Sequence, residues 1–330
     1  MHMADALVSP TVGTALLCVS AAAIGYAVRQ VKHSFDERIV PLMAIMGAFV
    51  FAAQMVNIVI PGTGSSGHLS GGILLAALIG PYAAFLALAC VLILQAIIFA
   101  DGGLLALGCN IFNLAFVSCF AAFPLFFRPI LKNGYSRPKL LLASIVACLV
   151  SAQLGAFGVV LQTLASKITE LPFATFLLFM QPIHFAIGLM EGILTALVLL
   201  VVWQMEPDLF NIRLHKVSSR ALVVFLCVIT LVTGGGMSMV ASDRPDGLEW
   251  SIMKTSGETE IEAEGTLHEA AGSIQEKTAV MPDYTLPALE NERIGTGLAG
   301  VIGSLITVFA LFLLGVVLKR RSQQNPASQI

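Results

Sequence analysis

The chain has 330 residues, of which 57% are hydrophobic and 12% charged, with a formal net charge of −2. A soluble domain carries roughly 25% charged residues, so a water-soluble globular enzyme is excluded, and no basic patch offers a nucleic acid its phosphate contacts. Apolar runs of about 18 residues or more, each long enough to cross a bilayer, make an all-α, multi-pass membrane protein the expected fold class.

The chain opens on Met1-His2. The α-amine, the His2 backbone nitrogen and His2 Nδ1 are placed to close two fused chelate rings. A planar nitrogen array suits Ni(II) or Cu(II), which accept tetragonal geometry, and not Zn(II), which prefers a tetrahedron. Two residues alone are also what chance would leave. No basic segment precedes the first apolar run, so residues 1–10 do not read as a cleavable signal peptide. The bulk of His2 is expected to protect Met1 from removal.

Hydrophobic helices are expected at 11–28, 39–60, 71–80, 82–100, 103–127, 140–165, 175–203, 221–241 and 294–318. The 71–100 region reads as one helix or as two broken at Gly80-Pro81, and charge decides. Only with the break do Arg29/Lys32/Arg38, Arg128/Lys132/Arg137/Lys139, Arg213/Lys216/Arg220 and Lys319/Arg320/Arg321 fall on one side. The positive-inside rule puts that side in the cytoplasm. The expectation is nine segments in the cell (inner) membrane, with the N-terminus outside and the C-terminus inside.

That topology gathers outside Met1-His2, loop 61–72, the turn Asp101-Gly102-Gly103, loop 166–174 and the long segment 242–293. The last is acidic: Asp243, Asp246, Glu249, Glu258, Glu260, Glu262, Glu264, Glu269 and Glu276 stand against Arg244, Lys254 and Lys277. It is either simply solvated or draws divalent cations to this face. A polar stretch near 204–220 divides the chain into a seven-segment module, residues 1–210, and a two-helix module, residues 211–330. No repeat relates them.

Loop 61–72 carries five glycines, which free the backbone for tight or left-handed turns. Such a loop can fold back into the membrane under protein cover. His68 at its centre shares a side with Met1 and is a candidate fourth nitrogen; a flexible connector with a solvated histidine is the alternative. Amides recur in the apolar helices. Gln54, Asn57, Gln95, Asn110 and Asn113, with Asp101, are candidates for hydrogen-bonding the ligand imidazoles and fixing their tautomers. Gln153 and Gln162 read as generic helix–helix contacts.

His184 and Glu191 lie on one helix face. Glu191 is the only acidic residue inside an expected span, a functional candidate by default. Counted from the outer end it falls near mid-membrane, too deep for the outer site, and a structural or helix-coupling role is expected. A membrane-embedded enzyme using this pair is a remote alternative, because no nucleophile–base pair, phosphate loop or thiolate cluster is present. The six cysteines, Cys18, Cys90, Cys109, Cys119, Cys148 and Cys227, lie in apolar runs and read as small buried hydrophobes.

The opening Met1-to-Pro10 segment, Gly67-His68-Leu69, Gln95-Ala96 with Phe99-to-Gly103, Ala106-to-Asn110 with Asn113, and His184-to-Gly188 leading to Glu191-Gly192 together resemble the CbiM/NikM family. These are substrate-binding components of energy-coupling-factor transporters for nickel or cobalt. Residues 221–318 resemble the small N component, with Pro245-to-Trp250 and Pro282-Asp283-Tyr284 in its outer loop, so the chain resembles a fused M–N protein. It departs from the frequent Met-His-Ile opening at Met3, which supplies no side-chain ligand. The resemblance implies an S-component bundle of about seven helices with a two-helix hairpin behind it. It implies a metal site of Met1, His2 and His68, no permanent cofactor, and Ni(II) as transported substrate, with Co(II), for cobalamin synthesis, as the alternative. It also implies a transmembrane energy-coupling subunit and cytoplasmic ATPase subunits as partners; the chain itself has no Walker A sequence. Each ligand must lose a proton to bind. With an α-amine near 7.7–8.0 and imidazoles near 6.5, affinity is expected to fall between about pH 8 and 5.5.

Overall fold

The computed structural model describes residues 1–33, 39–207, 220–258, 261, 265–286, 289 and 291–323. The helices are α1 (Pro10–His33), α2 (Ile39–Gln54), α3 (Gly72–Ile79) and α4 (Pro81–Ile98). They continue with α5 (Leu107–Leu131), α6 (Arg137–Ser166), α7 (Phe173–Met205) and α8 (Arg220–Gly235, prolonged by a tighter turn to Val240). Last come α9 (Gly247–Ser256), α10 (Thr266–Thr278) and α11 (Glu292–Gln323). Among the described residues seven helices are long and apolar enough to span a membrane: α1, α4, α5, α6, α7, α8 and α11.

The break expected at Gly80-Pro81 is present. Gly80 takes φ 79° and ψ 159°, open to a residue without Cβ, and Pro81 opens α4 where its missing N–H costs no helical bond. Ile79 to Tyr82 line a cavity with Val31, Ile39 and Leu318. The ends of α1, α3 and α11 therefore meet the starts of α2 and α4 at one end of the bundle. Met1 lies at the other end, against the loop that follows α2. Arg38, Arg213, Lys216, Glu260, Glu262, Glu264, the side chains of Arg320 and Arg321, and the 210/211 module boundary lie outside the described residues.

Several boundaries differ from expectation, and two of them bear on the outer loops. The helix expected over 39–60 stops at Gln54. β-branched Ile58–Val59 (β1) instead pairs antiparallel with Ser66–Gly67 (β2), Ile58 opposite Gly67. An apolar run that short reads alike as helix or strand, and the hairpin partner decides. The helix expected from 103 begins at Leu107, because Gly103 and Ala106 are pinned to Met3 and Asp5 of the N-terminal segment. α5 then runs on to Leu131, with π-type winding over Ile111–Phe127 and Pro124 inside it.

The packing is that of a membrane bundle, held by close van der Waals fit and polar contacts rather than by escape from water. α6 and α7 form the long antiparallel pair, Gly188 and Gly192 resting on the backbone of Leu149 and Ile145. The C-terminal hairpin is built in. α8 and α11 both pack on α2, with Gly300 against the Gly234 backbone and Gly303 under Phe51 and Phe99. Leu161, Leu178, Phe185, Leu197 and Phe309 are exposed on the helix flanks, as lipid-facing side chains are.

Candidate metal centre

The N-terminal segment is threaded into the bundle. Met3 is fully buried. Its N–H donates to Asn110 Oδ1 at 2.7 Å, and its carbonyl accepts from Asn110 Nδ2 at 3.1 Å and from the Gly103 N–H at 2.9 Å. Asn110 thus treats Met3 as a neighbouring strand would. Two residues on, Asp5 Oδ1 accepts from the Ala106 N–H at 2.9 Å. Asn113 donates weakly to Met3 Sδ and exchanges reciprocal bonds of 2.8 and 2.9 Å with Gln162. A backbone gripped at residue 3 leaves Met1 and His2 little freedom.

The ends of these residues converge. The Met1 amine stands 3.5 Å from His68 Nε2. The His2 and His68 rings stack with centroids 5.5 Å apart and planes within 15°. His68 Nδ1 lies 3.3 Å from the Leu69 carbonyl; a carbonyl only accepts, so Nδ1 carries the proton and Nε2 presents its lone pair to the amine. Burial, then the neighbouring amino terminus and His2, push the His68 pKa down to about 3. Burial also lowers that of His2, against the pull of Asp101. Both imidazoles are neutral near pH 7, the form that binds metal.

Two carboxylates attend these groups. Asp246 Oδ2 lies 2.5 Å from the Met1 amine, and Asp101 Oδ1 lies 3.2 Å from His2 Nδ1. Burial disfavours the Asp246 carboxylate, but the amino terminus outweighs it and holds its pKa below the usual carboxylate range. Asp246 also caps α9: Oδ1 accepts from the Leu248 and Glu249 N–H groups, and Glu249 Oε2 accepts in return from the Asp246 N–H at 2.9 Å. That reciprocal box fixes the carboxylate direction.

The segment expected to be an acidic outer loop is largely ordered cover. Ser66 donates from its N–H to the Pro245 carbonyl at 2.9 Å and from Oγ to the Arg244 carbonyl at 2.7 Å. Trp250 Nε1 donates to the Thr63 carbonyl at 3.0 Å. On the other flank the Tyr284 hydroxyl donates to Asp101 Oδ2 and accepts from Gln95 Nε2 at 3.1 Å. Gln275 Nε2 donates to the carbonyls of Ala96 and Gly102.

Of the residues expected to orient the imidazoles, Asp101 and Gln95 stand beside His2. Of the others, Gln54 and Asn110 hold backbone, and Asn113 holds the side chains of Met3 and Gln162. Gln54 donates to the Ser70 carbonyl at 2.9 Å, steadying the His68 loop. Asn110 and Asn113 act on Met3. Asn57 has its side-chain oxygen buried without a partner among the described residues, and its carbonyl accepts from the Ser242 N–H. Gln153 bridges α6 and α7 through reciprocal bonds with Gln181, as a generic contact should. Gln162 likewise joins two helices, α6 to α5, through its reciprocal bonds with Asn113.

Glu191 is not remote from the site. The His68 loop descends to it: Glu191 Oε1 accepts from Ser70 Oγ and from the Gly71 N–H at 3.0 Å. Gly71 precedes α3 in a left-handed conformation, φ 81°, so the carboxylate sits on a helix N-terminus, where negative charge is favoured. One cavity is lined by Met1, His68, His184, Glu191 and Asp246. Among the described residues no group of three or more His, Cys, Asp and Glu side chains is arranged to hold a metal; the amine and amide of the N-terminus are what enlarge the donor set. The sequence signal that would have found Asp246 is its own capping box, Asp246-x-x-Glu249, in a segment otherwise read as loop.

Comparison with known proteins places these residues in context. Residues 2–209 match the family described as "cobalt uptake substrate-specific transmembrane region", CbiM, and residues 220–320 match the PDGLE domain. A "putative fused nickel transport protein NikMN" of Archaeoglobus fulgidus is 30% identical over 315 residues, 95% of this chain and 98% of that one. A fused nickel transport protein NikMN of Rhodobacter capsulatus is 35% identical over 117 residues, 36% of this chain and 33% of that one. A crystal structure of a transition metal transporter superposes with a TM-score of 0.56 at 31% identity, covering 66% of this chain and all of the other.

Proposed function

The chain belongs to the CbiM family, with a PDGLE domain behind the CbiM region, and from that premise we propose that it captures Ni(II) at its N-terminus for import. It is a membrane component of nickel or cobalt transport. The ligands in this reading are the Met1 amine, the His2 amide and Nδ1, and His68 Nε2. The observation that carries it is the approach of the Met1 amine to His68 Nε2, 3.5 Å, with the His2 ring stacked on that of His68. Two nitrogens each about 2 Å from one ion stand about 2.8 Å apart when adjacent and about 4 Å when opposite, so a small closure suffices.

As placed, His2 Nδ1 faces Asp101. Chelation therefore requires the ring to turn about its Cβ–Cγ bond and leave that carboxylate, and the amine to leave Asp246. Both carboxylates then remain beside the ion as fixed negative charge. Square-planar nitrogen ligation with a deprotonated amide favours low-spin Ni(II) over Co(II); Cu(II) binds at least as well by the usual order, so its exclusion falls to availability.

The capture face is the extracytoplasmic one in this reading, and residues 1–210 and 211–330 are the metal-binding and covering modules of one fused component. Energy comes from partners: a transmembrane coupling subunit and cytoplasmic ATPases. The test is titration of the purified full-length protein with Ni(II). The expected complex is diamagnetic with a visible absorption band; His68→Ala removes it, and His33→Ala, at the far end of α1, leaves it intact. A paramagnetic complex indifferent to His68 contradicts the ligand set.

A further inference from the structure

The Met1 amine has its ion pair with the covering module, not with the helices around it. Asp246 Oδ2 stands 2.5 Å from that nitrogen, and Asp246, Met1 and His68 line one cavity. The two oxygens of this carboxylate are unequally placed. Oδ1 accepts from the Leu248 and Glu249 N–H groups at 2.7 and 3.0 Å, whereas Oδ2 faces the amine. Backbone contacts on both sides fix residue 246 there. The Pro245 carbonyl accepts from the Ser66 N–H at 2.9 Å, two residues before His68. Gly247 lets α9 seat where a Cβ would come 2.7 Å from Ile187 and 3.0 Å from the His184 ring.

Loading changes what Oδ2 faces. When the amine gives up its proton and bonds the ion, the carboxylate loses its ammonium partner. A largely buried charge left without a partner is costly, and the positive charge that replaces the ammonium is the ion itself. An oxygen and a nitrogen each about 2 Å from one ion stand about 2.8 Å apart when adjacent, close to the spacing already present. The amine, the His2 amide and Nδ1, and His68 Nε2 fill the plane around the ion, so a fifth donor enters only along its axis. Asp101 is less well placed: its Oδ2 accepts from the Tyr284 hydroxyl, and its Oδ1 lies against the His2 ring rather than the amine.

We propose that Asp246 Oδ2 is an axial ligand for Co(II) at the capture site, a bond that Ni(II) in the same plane does not form. The inference rests on the capture site being where we place it. Geometry divides the two metals. Low-spin Ni(II) has a filled orbital along the axis, which repels a fifth donor. Low-spin Co(II), with one electron fewer, has that orbital half-filled and takes one axial donor firmly. The covering module thus adds a donor, and with it a share of the metal selectivity, to a site otherwise built by the first module.

Titration of the full-length protein with Ni(II) and, without air, with Co(II), joined to electron paramagnetic resonance of the Co(II) complex, tests this. Asp246→Asn keeps an oxygen for the α9 cap, asparagine being as good there as aspartate, and removes the anionic donor. Both metals are expected to bind more weakly for want of the charge. Co(II) should lose about 10–100-fold more than Ni(II), a donor being worth at least what an outer partner is, while the Ni(II) complex stays diamagnetic. Equal losses overturn the proposal, because a charge that does not bond acts on both ions alike. Added imidazole gives a second reading. Wild-type Co(II) protein, its axis taken by oxygen, should show cobalt hyperfine lines without axial nitrogen splitting and keep them when imidazole is added; Asp246→Asn should gain that splitting. Nitrogen splitting in the wild type, or a high-spin Co(II) signal, overturns the proposal, and this arm stands whether or not the variant folds. A paramagnetic wild-type Ni(II) complex would instead sink the capture site itself.

Discussion

Two sets of amides in this bundle are chemically alike and do different things. Gln153 and Gln181 each donate to the other's main-chain carbonyl across α6 and α7, so their bonds join one helix to the next and end there. Asn110 makes an equally reciprocal pair, but with the backbone of Met3, a segment with no helix of its own at that point. The same functional group ties a bundle together in one place and aims a metal-binding terminus in the other. What separates them is the partner: an extended segment outside any helix or sheet must find partners for its backbone groups elsewhere, here in the Asn110 side chain and the Gly103 N–H.

Removing each amide tests that difference. Asn110→Ala leaves the Met3 N–H without its acceptor and loosens the register of Met1 and His2; Ni(II) affinity is expected to fall by about 10–100-fold, the usual loss when an outer partner of a metal ligand is removed. Titration of the purified variant measures it, and unchanged affinity would make Asn110 only another helix contact. Gln153→Ala stands at the small end. It is expected to cost about 0.6 kcal/mol of stability, typical of an interhelical hydrogen bond in a membrane protein, with Ni(II) affinity unaltered. A loss of metal binding there would erase the distinction.

Acid should separate the two regions by an intermediate amount. His68 has its pKa pushed down to about 3 in the fold, against about 6.5 in an unfolded chain. A lowered pKa contributes stability that is present above pH 6.5 and is lost as pH falls toward the folded value, because the unfolded state then binds the extra proton. Asp246, held low beside the amine, adds the same sign further down, below the ordinary carboxylate range. Thermal denaturation of the metal-free protein should show a falling midpoint from pH 7 to 5. His68→Ala should flatten that dependence and Gln153→Ala should not. The low imidazole pKa also shifts the sequence expectation for metal binding: below pH 8 the protons to be displaced are those of the amine and amide more than those of the rings.

Much of this was legible in the sequence because the signals are local. The apolar runs, the Gly80-Pro81 break and the pairing of Met1-His2 with Gly67-His68-Leu69 follow from span lengths, turn chemistry and charge. Asp246 on the Met1 amine and Tyr284 on Asp101 join residues 245 and 183 positions apart, and no periodicity records such contacts. Residues 55–60 misread as helix because their hydrophobicity does not distinguish a strand from a span; the Ser66–Gly67 partner that decides it lies beyond a glycine-rich turn. Counted along its own helix Glu191 reads as remote from the outer loops, whereas Ser70 and Gly71 of the His68 loop come down to meet it.

The most direct measurement is Ni(II) binding by protein with a free Met1 amine beside protein extended by a few residues before Met1. The extension converts the amine to an amide and displaces His2 from the chelate, while every helix and the His68 loop are untouched. The expected result is a diamagnetic, absorbing complex with the free terminus and its loss on extension, with the melting temperature of the metal-free protein preserved. An extended protein that binds Ni(II) as tightly, with the same absorption band, would contradict capture at the N-terminus.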